Sequence, residues 1–468
     1  MIRNTLLMTL AVVCFAGCTM APRYTRPAPP VPAEWPTGPA YKGVADGRTD
    51  QAAADIGWHE FYVDERLRKV ISLALSNNRD LRAATSNIER ARGLYRIQRA
   101  QLFPQVNASG GLSEQRVPAN ISETREAVTL RQYDVGLGVS SWEIDFFGRI
   151  RSLTASALEQ YLATEQALRS AQISLMAEVA NVYLTHAADR ESLKLAQSTL
   201  EARQATYNLI RRRFDVGIAS GLDLSQAQTV REAARVDVLS YTRQLALDEN
   251  ALNLLVGSPV PAELLPGDFN AVTPLEDISA GLSSEVLLGR PDILQSENLL
   301  RAANANIGAA RAAFFPTISL TTNIGTTSGE LSGLFTAGSR AWLFAPQITL
   351  PIFDAGSRWA NLKVANADHD IFLAQYEKAI QVAFREVADA LARRGTVGDQ
   401  ITAQEALVGA WADAYRLSDA RYIKGIDSYL GVLDAQRSLY ASQQGLIILR
   451  LARLTNLVTL HKVLGGGW

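Results

Sequence analysis

The chain of 468 residues carries 46 Lys and Arg against 47 Asp and Glu, so its formal net charge is −1. This balance, without a basic stripe, argues against nucleic acid as a partner. The sequence holds four His without ligand spacing and two Cys, both near the amino terminus. We therefore expect neither a disulfide framework nor a metal site in the body of the chain.

The amino terminus is typical of a bacterial lipoprotein signal. Arg3 supplies a positive charge, residues 6–15 are apolar, and two small residues precede Cys18. This run is too short to span a bilayer, so we predict a signal peptide over residues 1–17 and lipidation of Cys18. An ordinary signal peptide with an incidental Cys is the alternative. Thr19 follows the Cys, which by resemblance to known lipoproteins favours the outer membrane.

An extended arm and then a helix and a hairpin are predicted next. Residues 20 to about 51 are rich in Pro and Gly and lack periodicity, which indicates an extended arm, placed over residues 18–62. A first repeat, residues 63–257, begins with helical patterning that ends at Pro104. Period-two alternation then predicts a β-hairpin over residues 104–143, with a polar loop at residues 113–129.

Two long helices complete the first repeat, over residues 149–256. Large side chains recur every seventh position in the first of them, as in a coiled coil, at Leu193, Leu200, Tyr207 and Phe214. At ~1.5 Å per residue this helix would reach on the order of 100 Å. Gly217 marks the turn between the two helices. A connector rich in Pro and Gly follows at residues 258–283.

The second half repeats the plan of the first. Residues 284–468 contain a helix, a hairpin at residues 316–353 and long helices at residues 357–463. The segment 217–228 aligns with 425–436, with matching Gly, Ile, Ser, Leu, Ala and Gln. The chain is therefore predicted to be a tandem duplication, an internal two-fold repeat in which each half has the same order of elements.

These elements restrict the architecture to an α+β membrane protein. Four strands are too few to close a barrel, and lipid does not tolerate an open strand edge. The smallest bacterial outer-membrane barrels use about eight strands, so several copies must contribute, and three would give about twelve. The long helices carry charged faces and must extend into an aqueous compartment, which for a secreted chain is the periplasm.

Two motifs resemble the outer-membrane efflux proteins, the TolC-like ducts, and most closely their OprM-like lipoprotein branch. They are Leu-Gly-Arg-Pro-Asp-Ile at residues 288–293 and Asp-Ala-Arg-Tyr…Gly-Ile-Asp-Ser-Tyr-Leu…Leu-Asp-Ala-Gln at residues 419–436. The resemblance covers nearly the whole mature chain. It implies a homotrimer with a twelve-stranded β-barrel in the outer membrane and an α-helical barrel in the periplasm. It also implies two partners, a periplasmic adaptor and an inner-membrane transporter of the resistance-nodulation-division class.

The resemblance also places functional residues in the two helical turns. In this family the turns form the periplasmic tip, where the channel closes and the adaptor docks. The expected adaptor-contacting residues are Gly217, Ser220, Gly425 and Ser428. The expected gate residues are Leu417, Asp419, Arg421, Tyr422, Tyr207 and Arg213. A threefold ring of Asp419 would favour cations. The alternatives are that the glycines only reverse the chain and that the charged residues form a solvated surface with weak ion pairs.

Other candidate sites are weaker. Trp142, Trp342 and Trp359 lie near strand ends, where aromatic belts meet lipid headgroups, although core packing also explains them. No nucleophile with a neighbouring base and no phosphate-binding Gly loop is visible, so we expect no enzyme activity. We expect no cofactor other than the covalent lipid on Cys18.

The leading functional prediction is passive conduction of drugs or other small toxic molecules, with the energy supplied by the inner-membrane partner. Several alternatives remain. The duct could serve type I protein secretion or metal-ion export, or the chain could be a non-conducting periplasmic lipoprotein scaffold. A scaffold has no use for strands with apolar faces, which argues against it. A periplasmic hydrolase is a more distant possibility.

Overall fold

The computed structural model describes residues 19–42, 56–123, 125–267, 269 and 283–466. The predicted signal peptide, the lipidation of Cys18 and most of the predicted connector lie outside the described residues.

Each repeat contains helices on either side of two strands. The elements of the first repeat are α1 (Trp58–Phe61), α2 (Glu65–Asn77), α3 (Arg79–Ala100), β1 (Val106–Val117), β2 (Val128–Glu143), α4 (Arg149–Asp215) and α5 (Gly221–Val256). Those of the second are α6 (Pro291–Ala312), β3 (Thr317–Ser328), β4 (Arg340–Thr349), α7 (Ser357–Ile423) and α8 (Tyr429–Val463). Short 3₁₀ helices occupy Ala262–Leu264, Ser284–Gly289 and Leu331–Gly333.

The equivalent helices that flank the strands have equal or nearly equal lengths in the two repeats. Helices α3 and α6 each have 22 residues, and α4 and α7 each have 67. Helices α5 and α8 have 36 and 35 residues. Aligning Asp80 with Asp292 also aligns the first and last residues of α3 with those of α6. None of the helices in the described ranges has a stretch that is long and apolar enough to cross a membrane.

Among the described residues, the first compact unit comprises residues 19–28, 87–123, 125–165 and 295–376 and contains the sheet. Its four strands lie in the order β1-β2-β3-β4, and every neighbouring pair is antiparallel. The central pair, β2 and β3, joins the hairpins of the two repeats, with Gly136 opposite Gly325. A Cβ at residue 325 would collide with the backbone of Val135, which explains the glycine there. Among the described strands, β1 and β4 each have one free edge.

The first hairpin is longer than the alternation predicts. Strand β1 continues to Val117 and β2 begins at Val128, so residues 113–117 and 128–129 of the predicted loop at residues 113–129 are paired strand. The side chains of this additional paired segment are mostly polar on both faces of the sheet. The sequence therefore shows no alternation of apolar and polar residues there. One cross-strand ion pair supports this extension, with Arg131 Nε donating to Glu114 Oε1 at 2.9 Å.

The three tryptophans near the strand ends have different surroundings. Trp342 on β4 is 76% exposed, as an aromatic belt requires. Trp359 is also exposed, yet its ring meets Phe314 edge-on with centroids 5.5 Å apart. The indole nitrogen of Trp142 is buried without a hydrogen-bond partner in the described part of the chain. The belt interpretation therefore fits Trp342 best.

Among the described residues, the second unit comprises residues 29–42, 56–86, 166–267, 269, 283–294 and 377–466 and consists mainly of packed helices. In each repeat one polar residue ties the start of the 22-residue helix to the end of the last helix. Asn78 caps α3 by accepting from the backbone nitrogens of residues 80 and 81, and it donates to the Leu255 carbonyl at 2.8 Å. The equivalent Arg290 donates to the Val463 carbonyl at 2.6 Å and binds Asp292. This explains the Arg-Pro-Asp motif.

The arm lies against the second repeat. Within the first unit, Asn304 of α6 donates to the Pro22 carbonyl at 2.8 Å. Arg26 forms two bonds to Glu297, from Nε at 3.1 Å and from Nη2 at 2.5 Å, and Arg301 also binds this carboxylate. Glu297 is only 2% exposed. Its burial raises its pKa, but the bonds from the two guanidinium groups outweigh burial and leave the pKa below its ordinary value.

Within the second unit the arm continues across other elements. Ser284 donates to the Pro32 carbonyl at 2.6 Å, and Trp35 stacks on Phe384 of α7 with ring centroids 5.2 Å apart. Lys42 then pairs with Asp399 at 2.7 Å. The predicted arm is therefore extended, but it is fixed by specific contacts along its described length.

Candidate functional site: the paired helical turns

The turn between α4 and α5 is closed by backbone bonds and a capping box. Gly217 has φ +78°, in the left-handed region that favours glycine. The nitrogens of residues 218 and 219 donate to the Arg213 carbonyl at 2.8 and 3.1 Å, which satisfies the end of α4. Ser220 then caps α5, because its Oγ accepts from the Asp223 nitrogen while the Asp223 carboxylate accepts from the Ser220 nitrogen.

The turn between α7 and α8 has the same backbone conformation, but different side-chain bonds close it. Gly425 has φ +74°, and the Ile426 nitrogen donates to the Arg421 carbonyl at 3.0 Å, as in the first turn. Ser428 occupies the N-cap position of α8, but its side chain makes no capping bond. Instead, the Arg421 guanidinium grips Asp427 through two bonds of 2.5 and 3.1 Å. These bonds hold the pKa of the Asp427 carboxyl below its usual range.

An apolar cluster joins the two turns. Its buried members come from both repeats and are Tyr207, Ile210, Ala227, Val230, Tyr429, Val432 and Leu433. Tyr415 and Tyr422 pack against its edge. Burial, with smaller contributions from neighbouring tyrosines, raises the pKa of Tyr429 to about 12, so its hydroxyl stays neutral. The two turns of one protomer are therefore held to each other by a shared core.

The predicted gate residues do not form one network, although Tyr207 belongs to this cluster and Tyr422 packs against it. Arg213 lies over the Tyr422 ring at 5.4 Å, and that ring is 5.2 Å from Tyr429. Arg421 binds Asp427 and not Asp419. Asp419 is partly buried. The pKa of Tyr415 is raised mainly by the burial of Tyr415 itself and next by the negative charge of Asp419. Asp419 has no cationic partner among the residues described for this protomer.

Two of the predicted gate residues, Leu417 and Tyr207, differ strongly in solvent exposure. Leu417 is 53% exposed and belongs to no core cluster of the described residues. Tyr207 is buried, with the guanidinium of Arg231 at 4.2 Å from its ring centroid. A cation stacked on an aromatic ring stabilises the pair by about 0.5–2 kcal/mol, more as the pair is removed from solvent. Tyr207 therefore positions the turn from within the core.

Sequence reasoning missed Arg203. Its side chain is 4% exposed, its Nη1 donates to the Val230 carbonyl at 3.0 Å and its guanidinium lies 5.2 Å from the Tyr440 ring centroid. Burial lowers its pKa. The heptad spacing of the sequence could have indicated its burial, because Ala196, Arg203 and Ile210 are seven residues apart and all three are buried. An Arg in the second apolar position of a heptad seam indicates a specific polar contact.

The tip glycines have space around them. A Cβ at residue 217 or residue 425 would meet nothing within 4 Å, so backbone conformation and not crowding demands glycine. Ser220 and Ser428 are both exposed beside them. No group of three or more His, Cys, Asp or Glu side chains in the described ranges is arranged to hold a metal ion.

The comparisons with known proteins agree with this geometry. The family model described as outer membrane efflux protein matches residues 70–258 and 282–466. The toluene efflux pump outer membrane protein TtgC of Pseudomonas putida is 52% identical over 465 residues, which are 99% of this chain and 96% of that protein.

Solved structures match the fold as well. A crystal structure of a membrane protein from Pseudomonas aeruginosa has a TM-score of 0.90 at 44% identity, covering 96% of this chain and 98% of that one. The open state of the Neisseria gonorrhoeae MtrE outer membrane channel has a TM-score of 0.85 at 39% identity, covering 96% and 98%. The predicted resemblance is confirmed, and this chain belongs to the outer membrane efflux protein family, with the fold of one protomer of a TolC-like channel.

Proposed function

We propose that three copies of this chain form the exit duct of a tripartite efflux pump. Each copy contributes its four-stranded sheet to a twelve-stranded barrel in the outer membrane, and its long helices form a helical barrel in the periplasm. The observation that carries this proposal is the sheet with two free edges, in a chain that matches efflux proteins along nearly its whole length. Lipid does not tolerate such edges, and copies of the same chain close them.

The duct conducts passively, and its partners supply the energy. Its cargo is small toxic molecules, by analogy with the relative named for toluene efflux. A periplasmic adaptor docks at the exposed turns around Gly217, Ser220, Gly425 and Ser428, and an inner-membrane resistance-nodulation-division transporter delivers the substrate. The lipid on Cys18 anchors each protomer. The chain needs no cofactor for conduction and performs no reaction.

The gate lies at the turns. Leu417, which is exposed, and Asp419, which is partly buried, both lie on α7 and point towards the axis of the trimer. The three Asp419 carboxylates form a ring that favours cations. Arg421, Tyr422 and Arg213 hold the second turn in its closed position, and Tyr207 supports them from the core. The shared apolar cluster supports this assignment, because it makes the two turns move as one body.

Single-channel conductance in planar bilayers tests the proposal. We expect small, cation-selective currents from the wild type and currents several times larger from Asp419→Ala and Arg421→Ala. Arg416→Ala is the matched control, because Arg416 lies on the same helix and is exposed, with an ion pair of 3.3 Å to Asp413. Its conductance should equal that of the wild type.

The variant Asp427→Ala separates two roles of Arg421. An increase equal to that of Arg421→Ala shows that the gate depends on closure of the turn, whereas no increase shows that Arg421 acts on a neighbouring copy. A conducting wild type with unchanged variants would retain the duct and reject this gate. Trimers that insert and never conduct would favour the lipoprotein scaffold, and secretion or metal export would require transport assays with those cargoes.

A further inference from the structure

The arm covers one face of α6. The backbone of Ala21 lies so close to Gly308 that a Cβ at residue 308 would be 2.7 Å from it, so glycine leaves room for the arm. One turn before Gly308, Asn304 binds the Pro22 carbonyl. Two turns before Asn304, Glu297 binds Arg26. The covered face therefore follows the helical spacing of three and four residues.

The equivalent face of α3 is basic, and none of the described residues covers it. The alignment that matches the ends of α3 and α6 places Arg92 at the position of Asn304 and Arg96 at the position of Gly308. Arg99 follows one turn later, and all three arginines are exposed. Arg92 has a long contact of 3.7 Å to Glu89. Arg96 and Arg99 make no ion pair within the described residues, so two guanidinium groups of this face lack an anion.

In the proposed outer-membrane orientation, two distances along the chain put this face close to the membrane surface. Strand β1 begins at Val106, a few residues after α3 ends. At ~1.5 Å per residue, Arg92 is only about 12 Å along the helix from its last residue. Ala21, which contacts the equivalent level of α6, is three residues from Cys18, a span of about 10 Å for an extended chain.

The same comparison indicates which way the face points. In the proposed assembly the arm starts from a lipid on Cys18 outside the barrel, and this would turn the covered face of α6 away from the channel axis. In a ring built from equivalent repeats, equivalent faces point the same way. Arg92, Arg96 and Arg99 therefore face outwards, below the inner leaflet of the outer membrane.

From this arrangement we infer that Arg92, Arg96 and Arg99 form a binding surface for the phosphate headgroups of anionic phospholipids in that leaflet. Guanidinium groups bind phosphate oxygens with two parallel bonds, and their long stems reach up to an interface. The two repeats thus attach to the same leaflet by different means, the second through the arm and its lipid and the first through charge. This inference rests on the proposed outer-membrane orientation and lipid anchor.

Lipid binding to the full-length trimer in detergent tests the inference. Native mass spectrometry would count phosphatidylglycerol and phosphatidylcholine molecules bound to the wild type and to Arg96→Gln/Arg99→Gln. We expect a preference for phosphatidylglycerol in the wild type and a loss of affinity of about tenfold or more in the double variant, because each arginine near an anionic surface contributes measurably.

Arg79→Gln/Arg82→Gln is the matched control. These two arginines are exposed on the same helix, at its other end, and form no ion pair in the described part of the chain. The control should retain the wild-type preference. Equal losses in both double variants, or equal binding of the two lipids by the wild type, would overturn the inference.

Conductance of the same samples separates this inference from the proposed function. A double variant that conducts like the wild type but binds less phosphatidylglycerol supports both. A wild type that binds the lipid selectively but never conducts contradicts the duct and leaves the lipid surface standing.

Discussion

A neutral histidine is buried where the last helix packs on the first. His461 of α8 is 2% exposed, its ring stacks on Phe61 with centroids 4.0 Å apart, and its Nε2 lies 3.4 Å from the Ile56 carbonyl. Burial lowers its pKa to about 4, although the carbonyl opposes the shift. Because the unfolded chain takes up a proton first, the stabilising effect is complete above about pH 6.5 and is lost as the pH falls towards 4.

We therefore predict that His461→Phe reduces the acid sensitivity of the fold. Phenylalanine retains the stack on Phe61 and cannot titrate. Chemical denaturation between pH 7 and pH 4 should show a loss of up to about 3 kcal/mol per protomer in the wild type that is absent from the variant. His369→Gln, at a partly exposed histidine on α7, is the control and should keep the wild-type slope. An equal slope in all three proteins would contradict the prediction.

At the scale of elements, two glycines of α7 differ in what they face. A Cβ at Gly395 would collide with the arm at Ala40, whereas a Cβ at Gly398 would meet nothing within 4 Å. Both glycines lie inside the same helix, so the cost of glycine in a helix applies equally to them. Only Gly395 therefore makes room for the arm.

We predict that Gly395→Ala displaces the arm and that Gly398→Ala does not. Limited trypsin digestion should cut after Lys42 several times faster in Gly395→Ala, because its ion pair with Asp399 is lost when the arm moves. Gly398→Ala should keep the arm protected and gain about 1 kcal/mol in the free energy of unfolding from helix propensity. Equal protection of both variants would show that the arm does not depend on this contact.

Periodicity in the sequence predicts most of the elements and little of their polar contacts. The long helices and four strands follow from changes of period, and the duplicated Gly217 and Gly425 turns follow from the repeat. Contacts of the arm have no periodic signal, because an extended Pro-rich segment binds through single residues such as Arg26. The partner of Arg421 was also missed, since Asp427 lies across a turn whose geometry only the backbone reveals.

At the scale of the whole molecule, the free edges of β1 and β4 predict that copies pair edge to edge. We expect Ser109→Cys on β1, combined in turn with Cys at each position of Arg340–Thr349 on β4, to give covalent trimers on non-reducing gels at a few registers. Neither native Cys interferes, since Cys14 lies in the predicted signal peptide and Cys18 is the predicted lipid site.

The control for cross-linking uses strands that are already neighbours. Leu137 and Ile324 are opposite each other on β2 and β3 of one chain. The pair Leu137→Cys/Ile324→Cys should therefore give a disulfide within each protomer and no oligomer. If no β4 position cross-links to Ser109→Cys between copies, the ring of strands is wrong.

The two turns of each protomer are clasped by different forces. The first is closed by Ser220 and Asp223, whose bonds run to backbone nitrogens within the turn. The second depends on an exposed pair between Arg421 and Asp427, and solvent ions screen such pairs. Ionic strength therefore acts on the two turns unequally: a concentrated medium loosens the clasp of the second and spares the first. A rise in periplasmic ionic strength would thereby weaken the side-chain ion pair of the second turn and leave the capping bonds of the first intact, while the shared apolar cluster still holds the two turns together.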